Sequence, residues 1–221
     1  MVMHDEKQSH VGRGAVSNPA GRFELKQVVT VDDGWLREDE ELPPLETTVQ
    51  PDASRSIITR NESPDIPFTQ SINPYRGCEH GCIYCFARPS HAYFNLSPGI
   101  DFETRLFYKP DAAKLLEVEL AKPTYRCQTI ALGTNTDPYQ PIEREYRVMR
   151  GILEVLHACN HPVSIVTKGS LIERDIDLLA AMAKKRLSSV AISVTTLRNE
   201  LKRTLEPRTA SPLARLRVIK S

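Results

Sequence analysis

Three of the five cysteines of this chain lie within eight residues, at positions Cys78, Cys82 and Cys85. A C-x3-C-x2-C spacing on one loop offers three thiolates to an iron–sulfur cluster or to a zinc ion. No fourth cysteine lies nearby, so a four-iron cluster here would keep one iron free of protein sulfur and open to a small molecule. Gly77 and Gly81 permit backbone conformations beside the cysteines that a Cβ would hinder. The clustering favours a metal-binding site in a reducing compartment over a disulfide framework.

A structural zinc site is the main alternative to the cluster. The three cysteines with His80 or His91 would supply a Cys3His ligand set. The C-x3-C spacing and the aromatic Tyr84 directly before the last cysteine favour a cluster. The two hypotheses predict different proteins, because a zinc module is colourless and stable in air, whereas a cluster protein is brown and oxygen-sensitive.

Composition places the chain among ordinary globular proteins. Of its 221 residues, 40% are hydrophobic and 26% are charged, so a packed core is expected. The 29 basic and 28 acidic residues give a net charge of +1, so any nucleic-acid site must be local. The chain has no apolar run long enough for a membrane span, and its first ten residues carry charges where a signal peptide is apolar. We therefore expect a cytoplasmic protein with no membrane partner.

The chain divides into an arm and a core domain. Residues 1–66 show no sustained period of 2 or 3.6, and we predict an extended, partly disordered N-terminal arm whose Trp35 docks on the domain. In residues 67–221, apolar runs of strand length alternate with segments of helical period. This alternation is typical of βα units around a parallel sheet, and it predicts an α/β core domain.

The core domain contains the signals of four βα units. Strands are predicted at 69–73, 128–132, 163–167 and 190–194. Helices are predicted at 111–121 and 142–158, after the third strand, and from a cap at Ser211 to the end of the chain. A closed eight-stranded barrel typically takes about 250 residues. We therefore expect a partial (βα) barrel with a parallel sheet of about four strands, truncated at its C-terminus.

Several stretches carry a resemblance to a known family. The cysteine loop after the first strand resembles the signature of the radical S-adenosylmethionine (SAM) superfamily. Residues 66–221 more narrowly resemble its spore photoproduct lyase-like branch, whose bacterial members are often labelled DNA repair photolyases; the arm segment GRGAVSNPAGRFE is also similar to bacterial members. The stretches that carry the narrower resemblance are SINPYRGCEHGCIYC, ALGTNTDPYQPIE, VSIVTKG, VAISVTT and LEPRTASP.

The resemblance implies an enzyme, its cofactors and its partners. Cys78, Cys82 and Cys85 would bind a 4Fe-4S cluster whose free iron holds the amino and carboxylate groups of SAM. An electron, delivered by a reductase or a flavodoxin-type donor, would cleave SAM and give a 5'-deoxyadenosyl radical that removes a hydrogen from the substrate. The branch name points to a lyase acting on a DNA photoproduct.

The resemblance also implies SAM contacts. Tyr84 would contact the adenine, Lys168 the carboxylate and Ser193 the ribose. Independently of the resemblance, an ammonium at the carboxyl end of a strand suits an anion, although most lysines are solvated. The loop after the second strand occupies the place where the superfamily binds the amino group, and which of its four polar residues does so stays open. These four are Thr134, Asn135, Thr136 and Asp137.

Radical SAM domains usually have six βα units, and this sequence offers four. We therefore expect a fragment with a cluster site and an exposed apolar sheet edge. Two other functions stay open: a non-catalytic Cys/His zinc-binding module, and a cluster-binding remnant without turnover. Cys127 and Cys159 are expected at the opposite end of the sheet from the cluster loop. Seven basic residues among the last 25 form either a phosphate-facing strip or a solvated helix face.

Overall fold

A computed structural model describes residues 12–23 and 45–221. The predicted docking of Trp35 lies outside the described residues. The fold is α/β with two mixed sheets, and the larger sheet has the strand order β2–β3–β6–β7–β8. Its strands are β2 (Ile58–Arg60), β3 (Gln70–Ile72), β6 (Ile130–Leu132), β7 (Val163–Thr167) and β8 (Ser188–Ile192).

Four strands of the larger sheet correspond to the four predicted strands. β3, β6, β7 and β8 are parallel and follow one another in chain order, as βα units require. The bounds of β7 are those predicted, whereas β8 begins two residues before the predicted 190–194. The expectation of a parallel four-strand sheet is incomplete, because β2 adds an antiparallel edge strand beside β3. β2 has only three residues, and two of them are exposed. The sequence therefore shows no alternation of apolar and polar residues that would predict this strand.

The smaller sheet pairs segments that are distant in sequence. It consists of β1 (Thr48–Pro51), β5 (Arg105–Tyr108) and β4 (Tyr75–Arg76), in that order. β1 runs parallel to β5, and β4 runs antiparallel to it. Residues 48–60 of the predicted arm thus contribute one strand to each sheet. That residues 1–66 form a unit separate from residues 67–221 stays a prediction.

Helices connect and cover the parallel strands. The predicted helix at 142–158 is two helices, because Arg147 adopts a left-handed conformation (φ 52°) between them. The carboxylate of Glu143 accepts a 3.1 Å hydrogen bond from the backbone N–H of Met149 and so serves the start of the second helix. The predicted cap at Ser211 is confirmed, since its hydroxyl accepts from the N–H of Ala214 at 3.2 Å. The α-helices are α1 (Asp101–Thr104), α2 (Ala112–Leu120), α3 (Glu143–Tyr146), α4 (Val148–Ala158), α5 (Ile176–Ala183), α6 (Asn199–Leu205) and α7 (Pro212–Lys220), with 3-10 helices at Arg88–Phe94 and Ser170–Asp175.

The core lies between the parallel strands and the helices α2 and α4. Ile130 and Leu132 of β6 and Val163 and Ile165 of β7 are almost fully buried against an apolar face of α4. Burial of this apolar surface is the main term that holds the strand ends, and the loops after them, in place. Within the described residues, no helix has the length and apolar character needed to cross a bilayer.

Gly133 ends β6 at a point where the next strand passes closely. Its φ is +87°, and a Cβ there would lie 2.0 Å from the backbone oxygen of Val166. We expect Gly133→Ala to lower the free energy of unfolding by about 3 kcal/mol, because the left-handed strain adds to a clash with backbone. Gly12→Ala is the control, since Gly12 has φ +76° but no heavy atom within 4 Å of the added Cβ. Urea denaturation should give it a loss of at most about 1 kcal/mol, and equal losses would contradict the role of the close approach.

Candidate functional site

The three clustered cysteines lie on one loop between β4 and the 3-10 helix Arg88–Phe94. All three are free thiols; Cys78 is buried, and Cys82 and Cys85 are half-buried. Burial raises the pKa of Cys78, and it raises the pKa of Cys82 to about 12 against the opposing effect of the Lys168 charge. Thiols held in this way are ionised when a metal binds them, because the metal supplies the positive charge that the surroundings lack.

The loop that follows β6 fixes the beginning of the cysteine loop. The amide of Gln140 donates to the backbone oxygen of Gly77 at 3.1 Å and accepts from the N–H of Glu79 at 2.9 Å. Gly77 and Gly81 both have positive φ, 73° and 64°, on either side of Cys78. The expectation that glycine is needed beside the cysteines is confirmed at these two positions.

The rest of the cysteine loop is held by contacts from both of its sides. Arg88 donates to the backbone oxygen of Cys82 at 2.9 Å. The N–H of Ile83 donates to the oxygen of Leu205 at 3.0 Å, so the end of α6 pairs with the loop. Both contacts are made to backbone atoms of the cysteine loop. They therefore fix the path of the chain and leave the sulfur atoms for other partners.

Glu103 joins the arm to this site, and no sequence pattern pointed to this residue. Its buried carboxylate accepts from the N–H groups of Gly14 and Ala15 at 3.0 and 2.8 Å and pairs with Arg88 at 2.6 Å. A Cβ on Gly14 would lie 1.8 Å from the backbone oxygen of Gly81. The segment around Gly14 therefore packs directly on the cysteine loop and supports its conformation.

Asp137 of the loop after β6 is a structural centre of the site. Its largely buried carboxylate accepts from the Thr167 hydroxyl at 2.6 Å and the Lys168 N–H at 2.7 Å, and it pairs with His80 Nδ1 at 3.3 Å. Burial would raise the pKa of Asp137, but the His80 charge and these hydrogen bonds outweigh it and lower the pKa. The carboxylate therefore ties the end of β7 to the cysteine loop, and its oxygens are already engaged.

The other three polar residues of that loop differ in how strongly their side chains are hydrogen-bonded within the fold. Thr136 is buried and donates to the backbone oxygen of Tyr75 at 3.1 Å. Thr134 and Asn135 are half-buried and make only long side-chain contacts, at 3.5 Å to Asn73 and 3.4 Å to Ser90. Thr134 and Asn135 are thus the two members of the set whose side chains are least engaged within the fold.

Lys168 and Tyr84 come together beside the cysteines. The Lys168 ammonium lies 5.8 Å from the centre of the Tyr84 ring. Ser193 follows β8 at the same edge of the sheet, with its N–H donating to Thr167 at 2.9 Å. Because β7 and β8 are parallel, residues after both strands meet at their common carboxyl edge, where the cysteine loop also lies.

A buried network of hydrogen bonds around Glu206 orients the hydroxyl of Tyr84. The hydroxyls of Tyr84 and Thr195 donate to one oxygen of Glu206, the second at 2.6 Å. Arg215 pairs with the other oxygen at 2.5 Å, and both Glu206 and Arg215 are about 1% exposed or less. The LEPRTASP stretch is the only sequence signal that could have found this network, because its four members are otherwise scattered over residues 84–215.

The two histidines of the alternative Cys3His ligand set each make a contact within the fold. The described residues contain no group of three or more His, Cys, Asp or Glu placed to hold a single metal ion. His80 pairs with Asp137, and His91 Nε2 bonds the backbone oxygen of Arg105 at 2.9 Å. In a four-iron cluster each cysteine binds a different iron, so three thiols spread along one loop fit the cluster better than one ion. Cys127 and Cys159 are exposed, before β6 and after α4, at the opposite end of the sheet.

Curated proteins of bacteria and archaea are similar to most of this chain. An uncharacterized protein of Mycobacterium tuberculosis is 47% identical over 154 residues, which are 70% of this chain and 45% of that protein. An uncharacterized protein of Methanocaldococcus jannaschii is 28% identical over 152 residues, 68% of this chain and 53% of that protein. The chain spans about half the length of these curated relatives.

Solved structures share the fold. Spore photoproduct lyase complexed with dinucleoside spore photoproduct matches with a TM-score of 0.55 at 15% identity, over 78% of this chain and 46% of that one. A variant of that lyase with bound AdoMet and the dinucleoside photoproduct matches with a TM-score of 0.54. The family model described as the Radical SAM superfamily matches residues 72–221, which include the cysteine loop, the last residue of β3 and the parallel strands β6, β7 and β8. This chain belongs to the radical SAM superfamily.

Proposed function

We propose that this protein is a radical SAM enzyme of the spore photoproduct lyase-like branch that holds a 4Fe-4S cluster with Cys78, Cys82 and Cys85. The observation that carries the proposal is the placement of three free thiols at the carboxyl edge of the parallel sheet, beside Lys168. When bound, the cluster and SAM supply the electron and the sulfonium bond whose cleavage gives a 5'-deoxyadenosyl radical. A reductase or a flavodoxin-type protein is the proposed electron donor.

The chain's own residues would bind and orient SAM. Lys168 is proposed for the carboxylate, since it is the ammonium beside the cysteine loop. Thr134 and Asn135 are better suited to the amino group than their neighbours, because the polar atoms of Thr136 and Asp137 are used within the fold. Tyr84, held through its hydroxyl by Glu206, is proposed for the adenine, and Ser193 for the ribose.

The proposed substrate is a photoproduct in DNA. Its support is the solved lyase structures, which hold a dinucleoside spore photoproduct. Of the seven basic residues near the end of the chain, Lys202 and Arg215 are buried inside the fold and the other five are exposed. The test is SAM cleavage by the reduced protein under anaerobic conditions, with undamaged and ultraviolet-irradiated DNA. Formation of 5'-deoxyadenosine supports the enzyme, and faster formation with irradiated DNA supports the substrate; no 5'-deoxyadenosine from iron-loaded protein would contradict turnover.

Lys168→Met should weaken SAM use without affecting cluster loading. Loss of one charge-assisted contact to a carboxylate is expected to raise the KM for SAM about tenfold. The measurement is the dependence of 5'-deoxyadenosine formation on SAM concentration, with iron content measured in the same samples. Lys184→Met removes the same charge from an exposed position after α5 and should leave KM unchanged. An unchanged KM in Lys168→Met, or a loss of iron, would contradict the assignment.

A further inference from the structure

A polar pocket of about 360 Å³ lies at the carboxyl edge of the larger sheet, on the β2 side of the candidate SAM site. Its volume is in the range of small-ligand pockets. Asn73 and Asn135, which follow β3 and β6, form the boundary between the pocket and the loop proposed to bind SAM. The remaining lining residues are Ser54, Arg55, Ser56, Thr59, Tyr75, Arg76 and Lys109.

Lys109 is the unusual member of this lining. It follows β5 and is only 7% exposed, and its backbone N–H donates to Pro74 at 3.1 Å. Among the described residues, no carboxylate pairs with its ammonium, although a buried lysine in a folded protein normally has such a partner. Burial and the nearby charge of Arg76 together lower the pKa of Lys109 to about 8, against the opposing charges of Asp52 and Glu119. A buried cation that faces a cavity without a partner is suited to an anion that enters the cavity.

Two arginines complete the positive lining. Arg76 is held in place by Asp52 at 2.5 Å, by Ser54 at 3.3 Å and by the ring of Phe94, whose centre lies 4.5 Å from the guanidinium carbon. Arg55 is exposed at the rim. The three cations of the lining outnumber the two carboxylates near Lys109, those of Asp52 and Glu119, which leaves an excess of positive charge.

The donors of the pocket define the class of ligand. Lysine and arginine only donate hydrogen bonds, and the serine and threonine hydroxyls and the asparagine amides can donate as well. Donors spread around a cavity match an anion with oxygens on several sides, and a phosphate group has this form whereas a carboxylate presents two oxygens in one plane.

We propose that this pocket binds a phosphate group, either of a free nucleotide or of a nucleic-acid strand whose neighbouring base reaches the candidate SAM site. The inference goes beyond the proposed function and does not depend on it, since phosphate binding requires neither iron nor SAM. A failure of phosphate binding can therefore be distinguished from a failure of the proposed radical SAM function.

The test measures binding of the full chain to thymidine, thymidine 5'-monophosphate and a single-stranded thymidine dodecamer. We expect the phosphate-bearing probes to bind and Lys109→Ala to weaken them about tenfold, since a charge-assisted contact is lost. Lys114→Ala is the matched control, because it removes an exposed lysine five residues away on α2. Arg55→Ala provides a second variant that changes only an exposed side chain and should also weaken binding.

The outcomes distinguish the sources of the phosphate. Much tighter binding of the dodecamer than of the monophosphate identifies a strand, and equal binding identifies a nucleotide. Affinity for either probe should also fall as the pH rises through about 8, because Lys109 loses its charge among Arg55, Arg76, Asp52 and Glu119. Binding that is unchanged in Lys109→Ala and Arg55→Ala, or weakened equally in Lys114→Ala, would overturn the proposal.

Discussion

Cys82→Ala is expected to abolish the cluster. After anaerobic reconstitution, the unaltered chain should contain about four irons and four sulfides and show a brown visible absorption. The variant should contain almost none of either, because two cysteines cannot hold a cluster that already lacks a fourth protein ligand. The measurement is iron, sulfide and zinc content together with the visible spectrum.

Cys159→Ala is the matched control for this loss. Cys159 is an exposed free thiol after α4, at the opposite end of the sheet, so its removal should leave the iron content unchanged. About one zinc per chain with no visible band would instead establish a Cys/His module and end the cluster proposal. Full iron retention in Cys82→Ala would show that another residue is a ligand.

Local patterns predicted the parts of the fold that depend on local physics. The apolar run at Val163–Thr167 and the amphipathic period of α4 both report which side of a short segment is buried, so they could be found in the sequence. β1, β4 and β5 could not, because each exists only through pairing with segments about 30 or more residues away. The break at Arg147 was missed for a different reason: a carboxylate from α3, only six residues before Met149, serves the start of α4 in place of a cap residue that a pattern could reveal.

The candidate site likewise has features that local sequence signals predict and features that only long-range contacts decide. The cysteine spacing and the position of Lys168 after a strand are local signals, and both lead to the same edge of the sheet. The roles of the polar loop after β6 are decided by long-range contacts. Asp137 was a candidate SAM contact in sequence, but Thr167 and Lys168, some 30 residues further on, engage its oxygens. A sequence shows which side chains are polar and does not show which of them the fold has already used.

Arg215→Met is expected to lower the free energy of unfolding by about 3 to 5 kcal/mol, because it leaves a buried carboxylate without its cation. Arg215 donates to Glu206 at 2.5 Å and also reaches Thr209 at 2.5 Å and the backbone oxygen of Ser193 at 2.8 Å. It therefore joins α7 to the residue that follows β8. Urea denaturation at neutral pH measures the loss, and Arg217→Met, at an exposed position of the same helix, should change stability by about 0.5 kcal/mol or less.

Loss of Arg215 should also weaken SAM binding. The Glu206 carboxylate that Arg215 neutralises accepts the hydrogen bond from the hydroxyl of Tyr84, which is proposed to contact the adenine. Adding Glu206→Gln to Arg215→Met should therefore cost less stability than the two separate losses combined, since the first change has already broken the network. The double variant should still show weakened SAM binding, because a neutral amide is a poorer acceptor for Tyr84. Strictly additive losses, or stability of Arg215→Met equal to that of Arg217→Met, would show that the buried pair does not couple α7 to the cysteine loop.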